Sequence, residues 1–358
     1  MHAFRSHRID TAGAARIAVF IKLAVTVAQL EHAIEGIVAI GGTATGDQIE
    51  LIAFLAVDLL LLHDSDEDLV EGTVAFVEQG LASGGQVLVH SSEERVTMLR
   101  QALGTHPRLD YGLDGDLYLS PTSTLFAYER KLAESPDAAE LWVTGTVPFG
   151  ADHTQHPSWS RYESLVNEVL GPFAFHALCT YDTRTLPAST LEAARLTHPC
   201  ISTGGERVDS PDYLDPADFL SDPRAATPRQ PEWEPAATLT LHTVEDLQHA
   251  RHLVSGIGAS SSAVAREAID GFVLALSEVL LNGLQHGRPP VELTAWVEAA
   301  KLTCLVTDAG SGFSDRLSGY RYPDKEGPKG LWVARQACEE LIIGNTTTRG
   351  CSVLIATA

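Results

Sequence analysis

From Phe54 onward, short apolar runs alternate with stretches of helical period. AVDLLLLHDSD, Ala56 to Asp66, is an apolar run closed by a polar turn, which predicts a buried strand. Leu69 to Ser83 then spaces Val70, Val74, Phe76, Val77 and Leu81 as one helix face would. QVLVH predicts a second strand and Glu93 to Leu103 a second helix. Leu141 to Val147 reads as a further strand, SRYESLVNEVL as a helix and FAFHALCTYD as a strand. PASTLEAARLTHP has a proline at its helix start and a proline stop. Strand and helix alternating at this spacing predict βαβ units on a parallel sheet.

The pattern changes twice. Residues 1–55 precede the first clear strand; Ile17 to Ile40 is rich in Ala and Val and is broken by GGTATGD. That extension reads equally as a helical hairpin, as unspecified sequence, or as a dimerisation element that would imply a homodimer. Gly204 to Ala237 is rich in Pro and Asp with no steady period, and reads as a linker or extended arm. A domain boundary is expected within it, separating residues 56–203 from 238–358. Beyond it, TLTLHT alternates like a short strand and VEDLQHARHLVSGIG is amphipathic. Ser260 to Gly287 predicts a long helix, VELTAWVEA and KLTCLVTD two strands, GLWVARQACEEL a helix, and LIIGNTTTRGCSVLIATA a final strand pair. Strands gathered apart from helices predict an α+β sandwich with one helical layer. The fold class is therefore an N-terminal α/β domain followed by a C-terminal α+β domain.

Composition narrows the function. The 358 residues carry a formal net charge of -22, which repels phosphate backbones and anionic membranes and argues against direct nucleic-acid binding. The five cysteines form no C-x-x-C pair, so buried free thiols in a reducing compartment are expected. The longest apolar runs, Ile17 to Leu30 and Leu51 to Leu62, are interrupted by Lys22 and Asp58, so no membrane span is expected. No cleavable leader pattern is evident at the start, and the expected location is the cytoplasm.

Within the second domain, EVLLNGLQHG places Glu278, Asn282 and His286 at steps of four, a polar stripe beside buried leucines. Asn282 offers a neutral oxygen suited to Mg²⁺, and Glu278, one turn away, is placed to take a proton from a nucleophile. Asp308 ends a strand and is followed by Gly310 and Gly312, which let a flat ring approach the backbone while the carboxylate accepts from an exocyclic amine. Gly327 and Gly330-Leu331 open a helix, where free peptide N–H groups can meet phosphate.

In this order the three features resemble the GHKL ATPase family over about Ala236 to Ala358. EVLLNGLQHG is similar to its N box, DAGSGF to its first glycine box and GPKGL to its second. The resemblance implies a Bergerat-type α+β fold that binds ATP and Mg²⁺. Glu278 would be the base, Asn282 the Mg²⁺ ligand and Asp308 the adenine partner. His286 would belong to the same site, Gly310 and Gly312 would line the base pocket, and Gly327, Gly330 and Leu331 would face the phosphates under a lid, Ser314 to Lys329. TTTRGCSV resembles the last box, with Thr347 or Ser352 near adenine. Gly283 stands where alanine is usual. The short run before the N box lacks the acceptor-histidine context of sensor kinases and looks more like the anti-sigma-factor serine kinases. Those phosphorylate a serine on an antagonist protein and otherwise hold a sigma factor. A histidine kinase with an unrecognised acceptor and a non-catalytic ATP-binding module are the alternatives.

The first domain resembles the MEDS (methanogen/methylotroph DcmR-type sensory) domain over about Ala56 to Ser202. The resemblance rests on FVEQGLASGGQVLV, RYESLVNEVLGPFAFHALCTYD and the THP at Thr197 to Pro199. It implies a RecA-like parallel sheet that senses a small molecule, here of unknown identity. No P-loop is present. His63 and Asp64 end the first strand, where parallel sheets bind ligands, and with Tyr181 and Asp182 they are expected to frame an effector pocket. His176 and Cys179 sit an odd step apart, so they should face opposite sides of their strand rather than share a metal.

Overall fold

The structure, a computed structural model, describes residues 57–114, 118, 120–134, 140–149, 156–222, 228, 230–298, 300–321, 329–346 and 350–357. The expectations for residues 1–55, Gly327 and Thr347 lie outside these. The N-terminal domain is built on β1 (Val57–His63), β2 (Gln86–Ser91), β3 (Leu109–Leu113), β4 (Leu141–Gly145), β5 (Phe175–Asp182), β6 (Cys200–Thr203) and β7 (Glu206–Asp209). Their order is β3-β2-β4-β5-β1-β6-β7, parallel except for the β6–β7 pair. Alternation along β1 decides what each face meets. Leu59 and Leu61 join Phe76, Val77 and Leu99 of α1 (Asp66–Ala82) and α2 (Glu93–Leu103). Leu60 joins Leu125, Leu165 and Ala194 of α3 (Pro121–Glu134), α4 (His156–Leu170) and α5 (Ala188–Thr197). Helix α1 starts where Ser65 accepts the Asp68 N–H at 3.1 Å, and Asp66, Glu67 and Asp68 crowd its first turn, favouring the positive helix end.

The aperiodic stretch from Gly204 is ordered at its start. Gly204 and Gly205 take positive φ and turn the chain into β7, after which Asp215 caps the short α6 (Pro216–Phe219). Phe219 and Leu220 are buried in the core of the N-terminal domain. Elements of four residues are too short to print a period, which is why this stretch reads as an arm. β3 and α3 likewise lie in a part of the chain where no element is expected from the pattern.

The C-terminal domain is a five-stranded antiparallel sheet of β8 (Ala237–Leu241), β9 (Val291–Glu298), β10 (Lys301–Thr307), β11 (Glu340–Asn345) and β12 (Cys351–Ala356), in the order β11-β12-β10-β9-β8. Helices α7 (Leu247–Ser260), α8 (Arg266–Gln285) and α9 (Gly330–Ala337) supply the second layer. Phe272, Leu276 and Leu280 of α8 bury against Leu293, Cys304 and Ile355 of the sheet. Each such side chain contributes about 1.5–3 kcal/mol of transfer free energy. Helix α9 is shorter than the pattern predicts, because Cys338 turns extended and Glu340 already pairs with Ala356. The two-domain architecture is the expected one: a mostly parallel α/β sheet, then an antiparallel sheet with one helical layer. All five cysteines are free thiols, and among the described residues no helix is long and apolar enough to cross a membrane.

Candidate functional site

Helix α8 carries Glu278 and Asn282 half-buried on one side while Leu276, Val279 and Leu280 are buried in the core. The helix stops at Gln285, one residue short of the expected stripe. His286 is its exposed C-cap, and its N–H donates to the Asn282 carbonyl at 2.8 Å. Gly283 faces β9, where a β-carbon would lie 3.2 Å from a Val291 methyl, so alanine here would need Val291 to give by a few tenths of an ångström. The start of α9 comes to this side of α8. A β-carbon on Gly330 would lie 2.7 Å from Glu278 Oε2 and 3.9 Å from Asn282 Nδ2.

The second cluster forms where β10 ends. Asp308 Oδ1 accepts the Gly310 N–H at 2.7 Å, and the Asp308 N–H donates to the Cys351 carbonyl at 3.0 Å. Gly287, just past α8, backs the same carboxylate: a β-carbon there would stand 2.6 Å from Asp308 Cγ. The Asp308 loop is thereby set against the end of α8, with the Ala309 N–H donating to the Arg288 carbonyl at 3.2 Å. Gly312 has φ +91°, a left-handed conformation that favours glycine. Asn345, which sequence reasoning did not single out, fixes this loop. Its Oδ1 accepts from Phe313 N–H at 2.7 Å and its Nδ2 donates to the Phe313 carbonyl at 3.2 Å. Ser352 sits on β12 in register with Thr307, beside Asp308.

Two family models match the chain. Residues 59–199 match MEDS, the methanogen/methylotroph DcmR sensory domain, and residues 241–357 match the histidine kinase-like ATPase domain. The chain fuses a MEDS sensory domain to a GHKL-type ATPase domain. Among solved structures, the histidine kinase domain of the blue-light activated histidine kinase from Erythrobacter litoralis EL346 is 20% identical over 40% of this chain and 74% of that one, at a TM-score of 0.22. A second structure of that kinase is 25% identical over 33% of this chain and 42% of its own, at 0.23. Neither likeness is close enough to assign a role to any residue. No curated protein matches. An ATPase domain of this type makes the chain a kinase-type, nucleotide-binding protein.

The segment that follows the glycine loop, Leu317 to Tyr320, packs on the MEDS domain. Leu317 and Tyr320 join the cluster formed by α3 and α4. Tyr320, 7% exposed, lies under the Arg335 guanidinium at 3.5 Å. Arg335, on α9, donates to the carbonyls of Ser318 at 3.2 Å and Leu341 at 2.9 Å. Helix α9 and the stretch Ser318 to Tyr320 are therefore held by one buried cation. From the MEDS side, Arg161 and Ser158 of α4 donate to Glu340 Oε1 at 2.9 and 2.7 Å, Glu168 pairs with Arg321, and Phe126 of α3 meets Trp332 of α9 edge-on.

In the MEDS domain, the strand ends place His63 beside Asp182 in register, both buried, with Asp64 exposed nearby. Tyr181 does not join them, since it points to the opposite face of β5 and packs against Phe149 and His198. Asp182 is engaged by Arg95 at 2.7 Å and Arg184 at 2.8 Å. Hydrogen bonds from Arg184, opposed by burial, hold its carboxyl well below the usual range. Burial lowers the His63 pKa, so its imidazole is neutral at pH 7. His176 stacks on Trp142 on the α1 side, whereas Cys179 faces the α3–α5 side, as their odd spacing requires.

Proposed function

We propose that the chain is a signal-responsive regulator whose ATPase domain binds Mg·ATP and phosphorylates a serine on an anti-sigma antagonist protein, holding a sigma factor when the antagonist is not engaged. The observation that carries this reading is the convergence of Glu278, Asn282 and Gly330, motifs of separate helices, on one side of α8. The residues fit the nucleotide. Glycine at 287, 310 and 330 keeps three backbone segments close to polar side chains where any β-carbon would intrude. Asp308 offers a carboxylate to an exocyclic amine, the α9 N-terminus offers peptide N–H groups to phosphate, and the Asn282 carboxamide offers the oxygen a magnesium ion prefers.

Bound Mg·ATP supplies the phosphoryl group; the chain's own residues position and deprotonate. Glu278 would accept the proton of the incoming serine hydroxyl, and Asn282 would orient the metal. A single helix, α7, separates β8 from α8, and it packs onto α8 rather than forming a helical pair. That favours serine over histidine as acceptor. The packing of lid residues on α3 and α4 favours control of the ATP site by the MEDS domain through the lid.

The test is phosphotransfer from labelled ATP to co-encoded antagonist proteins. Acid-stable phosphate on the partner, lost in Glu278→Gln with ATP binding retained, is expected. Acid-labile phosphate on the chain itself would replace this reading with the histidine kinase, and nucleotide binding without transfer to any partner would leave a binding module.

A further inference from the structure

The THP at Thr197 to Pro199 finds a role in the interior of the MEDS domain, away from the nucleotide site. On the α4–α5 side of the sheet, Asp58 of β1, Cys179 of β5, Glu163 of α4 and His198 converge. Glu163 and His198 are 0% exposed and Asp58 3%. His198 Nε2 lies 3.2 Å from Glu163 Oε2 and 3.7 Å from Asp58 Oδ1, and the Cys179 thiol lies 3.8 Å from Asp58 Oδ1. We propose that Asp58, Cys179 and His198, whose donor atoms lie within 4.8 Å of one another, form with the adjoining Glu163 carboxylate a buried site for a divalent transition-metal ion of borderline softness, Zn²⁺ being the best match to their N, S and O donors.

Three observations carry it. The first is the spacing. Bonds of about 2.0 Å to O and N and about 2.3 Å to S, arranged tetrahedrally, put neighbouring donors about 3.3–3.5 Å apart. His198–Glu163 at 3.2 Å, His198–Asp58 at 3.7 Å and Cys179–Asp58 at 3.8 Å lie within about 0.4 Å of that spacing. The second is orphaned polarity. Neither Glu163 oxygen makes a well-formed hydrogen bond, the approach of His198 Nε2 to Oε2 at 3.2 Å being an ion-pair contact. A fully buried carboxylate left this way is costly, and a cation at the centre of the cluster removes the cost. The third is the outer shell. His198 Nδ1 is 2.8 Å from the Ala194 carbonyl, which can only accept, so Nδ1 carries a proton and Nε2 is the nitrogen left to ligate a metal in exchange for any proton of its own. Asp58 Oδ2 accepts from Asn167 Nδ2 at 2.9 Å, leaving Oδ1 for the metal. Ligating histidines and carboxylates are oriented in this manner.

The competing arrangement has a proton in place of the metal. Burial pushes the Asp58 carboxyl up to about 6. Burial opposes charge on His198, but Asp58 and Glu163 outweigh it and raise the imidazole to about 9. An imidazolium among carboxylates would satisfy the same groups in part. The three mutually close donors and the Glu163 carboxylate lie in the interior, away from substrate, so the site would serve structure or sensing rather than hydrolysis.

The experiment uses the full chain. It is unfolded, stripped with chelator, refolded with Zn²⁺ or Co²⁺ alone, gel-filtered and analysed for metal. One ion per chain is expected. The Co²⁺ form should show the intense visible bands of a tetrahedral site and a thiolate-to-metal charge-transfer band in the near ultraviolet. Cys179→Ser, close in volume, should abolish the charge-transfer band. His198→Gln should weaken metal binding by more than the about 10–100-fold typical of losing an outer-shell partner. A folded wild-type chain that retains no metal overturns the proposal in favour of the imidazolium. So does a cobalt spectrum that neither substitution alters, since the ion then lies elsewhere.

Discussion

Gly310→Ala tests the nucleotide site with the least collateral damage. Gly310 does not have positive φ, so alanine fits the local backbone. Its new β-carbon would stand 2.8 Å from Asp308 Oδ1 and 3.0 Å from Gly287 Cα, against about 3.5 Å for ordinary contact between heavy atoms. The carboxylate must yield by about 0.7 Å, and the Gly310 and Gly287 backbones, the latter held by its N–H bond to the Asn282 carbonyl, must part by about 0.5 Å. That stretches a 2.7 Å bond from the Gly310 N–H past useful length and moves the acceptor away from where an exocyclic amine would meet it. A hydrogen bond to a charged group is worth about 1.5–3 kcal/mol, which corresponds to about 10–150-fold in Kd. Calorimetric titration of the full chain with ATP at millimolar Mg²⁺ reads this directly, with a thermal melt to confirm the fold. Gly256→Ala is the control. It sits exposed on α7 with nothing within 4 Å of a β-carbon, and should leave ATP affinity unchanged while adding up to about 1 kcal/mol of stability. A Gly310→Ala chain that melts normally and binds ATP within about threefold of the parent would remove Asp308 from the adenine site.

Three further outcomes are expected. Glu278→Gln should lower phosphotransfer by about 100-fold or more with ATP affinity within a few-fold, read by labelled transfer and calorimetry; equal losses in both would reassign Glu278 to binding. Arg161→Ala and Glu340→Ala, measured singly and together by denaturation, should show a coupling of about 1 kcal/mol across the domain contact, and strict additivity would mean the domains do not rely on it. Asp182→Asn should cost about 1–2 kcal/mol at pH 7, because Arg95 and Arg184 lose their shared carboxylate but remain partly solvated themselves. The Asp182 pKa is depressed in the fold, so its contribution is complete above about pH 4 and fades as pH falls further; the variant should lack that acid limb in urea melts taken as a function of pH.

How much of the molecule is legible from sequence depends on the range of each signal. β1, α2, β5 and α8 announce themselves because period 2 or 3.6 persists over whole elements, and the nucleotide boxes because each is contiguous. Within α8 a step of four puts Glu278 and Asn282 on one side without any knowledge of the fold. That rule fails at His286, since helix ends are set by caps and not by period. Asn345 escapes notice because its partner, Phe313, lies 32 residues away and its type is ordinary for a strand end. Tyr320 does so because a tyrosine in an aperiodic stretch gives no hint that it packs on another domain. The buried cluster is the sharpest case. Asp58 reads only as an interruption of an apolar run, Cys179 as strand filler and Glu163 as a helix residue, and Asp58 and Cys179 are 121 residues apart. Yet the same alternation that predicts the strands assigns Asp58 and Cys179 to one face, between parallel neighbours. A polar residue at an inward position of a buried strand has to be compensated from the layer above it. On that face the layer includes α4 and α5, whose buried polar residues include Glu163 and, just past the helix end, His198. Side-chain parity, carried from strand to covering helix, is thus the step that turns scattered polar residues into a site.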